Sequence, residues 1–338
     1  MTDVERYIKG NNEMKTLTVF TPTYNRLHTL TRTYESLQRQ TNRNFDWLLI
    51  DDGSSDGTRE WVETLGEKVV NEGFDYDWMG RRLDSVSDAH FVIDAQGLEI
   101  EYVYKPNGGL YTGYNVAYDA VQAELCVCID SDDYMPNEAV KTIITAWGNK
   151  SKDKNYCGLL GLDFNVVDGK PIGGCFPQDV SEVYFHELRL KKLHAGDTKP
   201  VLRTELMKKV APMEGFEGEK NFNPVYLMLQ VMDVYPLILV NENFCWVEYQ
   251  TGKDSMSQGI YRQYVNSARS FAKLRLLEMT LKHNTLKDRF RSCVHYVASC
   301  IIAKDCRWLN KSPRKLLTLL AAPLGFAWYL VIRKKNEL

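Results

Sequence analysis

No CxxC pair and no His/Cys ligand cluster occurs in this chain of 338 residues, although it carries eight cysteines. That absence removes the usual zinc-site and dithiol patterns. Cys126 and Cys128 alternate along one strand face and Cys293 and Cys300 share a helical face, so the cysteines read as small buried apolar residues. An excess of one charge is also lacking. Lys plus Arg number 42 against 44 Asp plus Glu, which leaves no electrostatic footprint for a nucleic-acid partner. His186, His194 and His295 have no metal-ligand spacing and read as solvated or core histidines. There is no internal repeat and no low-complexity tract. Met1 to Glu13 is polar and mixed in charge, so no secretory leader is expected, and a reducing cytoplasm is the expected setting.

What is present is an ordinary folding composition, 25% charged and 44% hydrophobic, long enough for one large α/β domain with additions or for two smaller domains. Leu17 to Thr21 reads as a strand stopped by Pro22, and Leu27, Leu30, Tyr34 and Leu37 recur at helical spacing. Trp47 to Ile50 is a second strand, running into the acidic turn Asp51 to Gly57, and Thr58 to Leu65 a helix. Glu101 to Tyr104 and Leu125 to Ile129 supply two further strands around a helix through Ala117 to Ala123. This alternation implies a mostly parallel sheet covered by helices on both faces. Residues 66–98 break the rhythm and read as an insertion, either a lid or a structural excursion.

The most informative stretch is Asp130-Ser131-Asp132-Asp133, at the carboxyl end of the last of these strands. Three carboxylates crowded there repel one another unless a cation sits among them. Oxygen ligands on a short loop suit Mg²⁺ or Mn²⁺; the alternative is an acidic loop capping the next helix. Thr21 to Asn25, Asp52, and Lys105 to Gly109 follow strands of the same sheet and so belong to the same edge, where ligands of open α/β sheets bind. An aromatic ring, a paired acidic loop, a glycine-rich loop and a metal site together suit a nucleotide diphosphate.

These motifs in this order resemble the family 2 glycosyltransferases of the GT-A fold, over roughly residues 16–250. Thr21-Pro22-Thr23-Tyr24-Asn25-Arg26 matches the opening motif, Ile50 to Thr58 the second, and Asp130 to Asp133 the DxD region. Asn107-Gly108-Gly109 followed by Asn115 resembles the glycine-rich segment, with Tyr114 where an Arg is usual. The resemblance implies a Rossmann-like GT-A sheet and inverting sugar transfer from a nucleotide sugar, of the UDP class, with Mn²⁺ or Mg²⁺ as cofactor. It implies that Tyr24 stacks on the base, Asp52 hydrogen-bonds the uracil ring, and Asp132 and Asp133 hold the metal. Asp130 is assigned to the ribose or the metal. Thr21, Lys105, Asn107, Gly108, Gly109, Asn115 and Ser131 line the donor. For the catalytic base, Glu219 of Gly218-Glu219-Lys220 is the first expectation and Glu217 the second, with Lys220 replacing the usual second acid. A helix-capping role for these acids is the alternative. Asp197 and Lys199 fall near the family's acceptor-side segment, as ligand contacts or as structure. A nucleotidyltransferase and a non-catalytic nucleotide-sugar-binding subunit remain the competing classes.

A GT-A domain is expected over 1–250, a helical extension over 251–310 and a basic, apolar tail over 311–338. Val247 to Gln250 reads as a strand and Gly252 to Gln258 as a mobile loop. The helices read as Ile260 to Leu281 and Leu286 to Cys306. The tail runs apolar from Leu316 to Ile332 between Arg314-Lys315 and Arg333-Lys334-Lys335. At slightly less than the ~20 residues of a comfortable span, and with Pro323 inside, it reads as a helix lying in the headgroup boundary. A core helix and a true span are the alternatives. An anionic membrane surface, the inner face of the membrane, is therefore an expected partner, and a saccharide or lipid-linked saccharide of a surface-polysaccharide pathway the expected acceptor.

Overall fold

The computed structural model describes residues 15–150, 155–248 and 259–336. The expected mobile loop Gly252 to Gln258 and the polar stretch Met1 to Glu13 lie outside them. The chain forms two compact units. One comprises residues 1–108, 112–212 and 234–249; the other comprises 109–111, 213–233 and 250–338.

The first unit is built on one sheet. Its strands are β1 (Leu17–Thr23), β2 (Phe45–Asp51), β3 (Glu67–Val70), β6 (His90–Ala95), β7 (Leu98–Tyr104), β8 (Leu125–Cys128), β9 (Gly158–Asn165), β10 (Glu182–Val183), β11 (Thr198–Arg203) and β12 (Leu237–Val247). They lie in the order β10-β12-β9-β11-β8-β1-β2-β7-β6-β3. The central β8, β1, β2 and β7 are mutually parallel, so their carboxyl ends share one edge. β11 enters antiparallel against both β8 and β9, while β12 returns parallel to β9. The central strands are nearly continuous apolar runs, as strands covered on both faces must be. Val19, Trp47, Leu49, Ile100, Tyr102 and Val127 all sit in the core. Helices α1 (Leu27–Gln38), α2 (Thr58–Glu63), α3 (Leu110–Ala120), α4 (Ala139–Lys150), α5 (Phe185–Leu190) and α6 (Thr204–Val210) connect the strands.

Pro22 does not stop β1. The strand continues through Pro22 to Thr23 against Ile50 and Asp51 of β2, while β8 pairs with β1 only as far as Phe20. Beyond Phe20, β1 is an edge on that side, where a residue without an N–H is tolerated. The 66–98 stretch is strand-rich. β6 joins β7 and carries β3, while β4 (Gly73–Tyr76) and β5 (Arg82–Ser87) form a small sheet of their own. His90 joins the two layers, its Nε2 lying 2.7 Å from Glu101 and its Nδ1 3.1 Å from the Phe74 carbonyl. The stretch extends the sheet, as a structural excursion would.

The second unit is helical: α7 (Val225–Met232), α8 (Ile260–Asn266), α9 (Ala268–Thr280), α10 (Leu286–Ile302), α11 (Trp308–Lys311) and α12 (Lys315–Lys335). Thr285 opens α10 with a capping box, accepting from the Asp288 N–H at 3.2 Å. Ala272 and Met279 of α9 pack with Cys293, Tyr296 and Cys300 of α10 and Ala321 of α12. Gly325 lets α12 approach α10 closely, since a Cβ there would lie 2.6 Å from that of Val297. One face of α12, carrying Thr318, Ala321, Gly325 and Ile332, is buried. The remainder exposes Leu316, Leu319, Leu320, Leu324, Phe326 and Leu330. Within its unit α12 thus buries one narrow face and leaves most of its apolar surface uncovered.

Candidate active site

The carboxyl edge of β1 and β2 is a knitted pair of loops. The Asn25 N–H donates to Ser54 Oγ (2.9 Å), and Asn25 Oδ1 accepts from the Ser55 N–H (2.8 Å). Asp56 accepts from the Leu27 N–H (2.9 Å) and the Thr58 hydroxyl (2.6 Å), so it caps α1 from the neighbouring loop. Asp51 is buried, accepting from the Ser54 N–H (2.7 Å) and the Tyr102 hydroxyl (2.8 Å); burial raises its pKa. The frame holds Tyr24 outward, its surface 49% exposed. Thr21 points the other way, fully buried and accepting from the Trp47 indole at 3.0 Å.

Asp52 organises the glycine-rich loop. Its carboxylate pairs with the wholly buried Lys105 ammonium and accepts from the Gly108 N–H (2.9 Å) and the Asn107 amide (3.1 Å). Lys105 also donates to the Pro106 carbonyl at 2.9 Å. Gly108 packs on the Trp78 carbonyl, where a Cβ would collide with backbone. Asn115 is buried and donates to the Met79 carbonyl at 2.8 Å. The turn carrying Trp78 and Met79 therefore backs this loop. Tyr114, in place of an Arg, is buried edge-on against Phe20 at 5.1 Å between centroids, a packing role. Gly109 belongs to the second unit and lies against the Lys220 carbonyl.

The acidic loop follows β8 on the same edge. Asp130 is exposed, Asp132 half-buried, and Ser131 and Asp133 buried. The loop backbone is tied to α1: Arg32 donates to the Asp132 carbonyl and Thr33 to that of Asp133, both at 2.7 Å. Burial, then the charge of Asp130, raises the Asp132 pKa. Burial pushes Asp133 up to about 7 against the downward pull of Lys199. Clustered carboxylates that disfavour their own charge are the donor set a hard divalent cation satisfies. The first unit therefore brings together Tyr24, Asp52, Lys105, Asn107, Gly108 and the acidic loop, whereas the Thr21 and Asn115 side chains serve the scaffold. Asp163 is a partner that sequence reading did not find; a lone acid inside the apolar run of β9 is its one signal.

Glu219 is tied to the start of α9. Its buried carboxylate accepts from the Arg269 N–H (3.1 Å) and Nε (2.9 Å) and from the Ser270 N–H (2.8 Å) and hydroxyl (2.7 Å). Arg269 and Ser270 open α9, so Glu219 satisfies the orphan N–H groups and the positive end of that helix. The capping alternative describes Glu219, although the helix it caps is α9 and not the following α7. Two oxygens engaged by four donors leave poor access for an acceptor proton. Glu217, two residues earlier, is exposed, and only its carbonyl is drawn to Arg269, at 2.7 Å.

A mixed sheet with a parallel centre, helices over it and C-terminal helices match the GT-A fold. Residues 18–161 match the family described as Glycosyl transferase family 2. The structure of Staphylococcus aureus TarS 1–349 in complex with UDP-GlcNAc shares the fold with a TM-score of 0.54 at 16% identity, covering 95% of this chain and 91% of that one. The complex of the same protein with UDP gives 0.53 at 15%, with the same coverage. A longer TarS structure gives 0.53 at 16%, with 94% of this chain spanning 55% of that one. No curated protein matches the chain in sequence.

Proposed function

We propose that the enzyme transfers a sugar, with inversion, from a UDP-class nucleotide sugar to a hydroxyl of a saccharide or lipid-linked saccharide in surface-polysaccharide synthesis. The observation that carries this reading is the placement of the acidic loop on the strand edge that also holds Tyr24 out and carries the Asp52-ordered glycine loop. Tyr24 stacks on the base. Asp52, with Lys105, Asn107 and Gly108, forms the wall beside the uracil and ribose. The Asp130 and Asp132 carboxylates, Asp132 foremost, would hold Mn²⁺ or Mg²⁺, on the loop that also carries the buried Asp133. The charge growing on the departing diphosphate is what such an ion would offset when bound. Glu217 takes the acceptor proton as the hydroxyl attacks the anomeric carbon opposite the diphosphate, through an oxocarbenium-like transition state. Glu219 holds the base-bearing loop on α9.

The exposed face of α12 supports peripheral attachment to an anionic, cytoplasm-facing membrane. The helix is long and apolar enough to cross a membrane, but a shallow position keeps its buried face on α10 and leaves the Leu316, Leu320, Leu324 and Phe326 side for lipid. Such a position would bring a lipid-linked acceptor to the enzyme.

Product identity tests the function. Incubation with nucleotide sugars and Mn²⁺, read by phosphorus and proton NMR, is expected to yield UDP and an inverted glycoside. Pyrophosphate as product would overturn the reading.

A further inference from the structure

An internal ammonium lies beneath the acidic loop. β11 runs antiparallel to β8 with Val201 opposite Val127, which carries Lys199 past the end of β8 toward the loop that begins at Asp130. Lys199 is buried, and its Nζ stands 3.8 Å from Asp133 Oδ2 and 3.8 Å from Asp163 Oδ1. Asp163 Oδ1 has no hydrogen-bond partner, so the Lys199 charge is what holds that buried oxygen. The three groups come from three strands or strand ends that meet only in this sheet. The loop thus offers a buried carboxylate, Asp133, to Lys199 and leaves Asp130 exposed.

We propose that Lys199 is a positioning residue for the metal–diphosphate site: fixed by Asp163, it clamps Asp133 inward and so sets the loop from which Asp130 and Asp132 would hold the metal. This rests on the donor reading given above. Asp133 then acts as the anchor of the loop, and Lys199 tunes metal affinity without touching metal or donor. Arg32 and Thr33 hold the same loop through its carbonyls from the α1 side, so the clamp orients carboxylates on a backbone already tied down.

The test is a Mn²⁺ titration of the full chain at saturating UDP, read by the electron paramagnetic resonance signal of free Mn²⁺, with thermal unfolding alongside. Lys199→Met is expected to raise the half-saturating Mn²⁺ by ~10- to 100-fold, the range for removing a residue that orients metal ligands. Lys199→Arg should recover most of that. Asp163→Asn, which leaves Lys199 paired with Asp133, is the milder variant should Lys199→Met fail to fold, and its half-saturating Mn²⁺ should rise severalfold. A folded Lys199→Met or Asp163→Asn with wild-type Mn²⁺ saturation overturns the inference, even if it melts earlier. Wild-type protein that binds no Mn²⁺ with UDP would instead overturn the donor reading itself.

Discussion

Arg269 reaches one oxygen of Glu219 twice, from its backbone N–H at 3.1 Å and from its guanidinium Nε at 2.9 Å. A carboxylate gripped in this way is a helix cap. Glu217→Gln is therefore the variant expected to leave UDP-sugar affinity nearly intact while lowering turnover by ~10²- to 10⁴-fold, the cost of losing a general base. Glu219→Gln should act on the fold, lowering stability by about 2 kcal/mol through the weakened cap and charge-assisted bonds. Steady-state kinetics beside thermal unfolding of both variants separates the roles. A Glu219→Gln protein of unchanged stability but lost turnover would return the base to Glu219.

Gly108 lies against the Trp78 carbonyl with no room for a Cβ. Gly108→Ala must push the loop away from that turn, and its N–H away from Asp52. UDP affinity should fall by tenfold or more while β1 and β2 stay folded. Calorimetry on a variant with native circular dichroism checks this, and undiminished affinity would detach the glycine loop from the donor site.

Removing α12 would strip Ala321 and Gly325 from the α9–α10 core, so truncation is a poor test of membrane binding. Leu320→Glu with Leu324→Glu changes only exposed positions. Stability should stay within about 0.5 kcal/mol, while sedimentation with anionic vesicles is lost. Arg314, Lys315, Arg333, Lys334 and Lys335 would each add ~1 kcal/mol of attraction to such a surface, so wild-type binding should weaken in high salt. On the buried face, Gly325→Leu should cost about 1–3 kcal/mol by overpacking. Wild-type protein that ignores anionic vesicles at low salt would make α12 a structural helix alone.

His295 provides a pH signature within the helical unit. Burial, then the nearby Arg275 and Arg291, lowers its pKa from 6.5 to about 4, and it lies 3.0 Å from the Tyr264 hydroxyl. Between those values the unfolded chain binds the proton and the folded one does not, so stability rises with pH across roughly 4 to 6.5. His295→Gln should flatten that slope in denaturant unfolding measured across the window. An unchanged slope would assign the dependence to other groups.

The central strands were legible because β1, β2, β7 and β8 are short apolar runs followed by turn-rich polar loops, and that order alone places Asp52 and Asp130 on one edge. Pairing between distant segments was not legible. Asp163 and Lys199 lie 30 or more residues from Asp133, and only the β8-β11-β9 register brings them together. The bonds of Glu219 to Arg269, 50 residues away in α9, were not legible either. β5 escaped notice because nearly all of its residues face solvent, leaving no hydrophobic alternation to read. The tail showed its apolar length in sequence, but which of its faces packs on α10 depends on the small residues Ala321 and Gly325 meeting Val297 and its neighbours.

The most direct test is calorimetric titration of UDP into the full chain, with Mn²⁺ and with a chelator, in wild type and in Asp132→Ala. UDP should bind wild type with Mn²⁺ and lose ~10²-fold or more in affinity with chelator, and Asp132→Ala should show the weak affinity under both conditions. Equal UDP affinity with Mn²⁺ and with chelator in the wild-type protein would contradict the account.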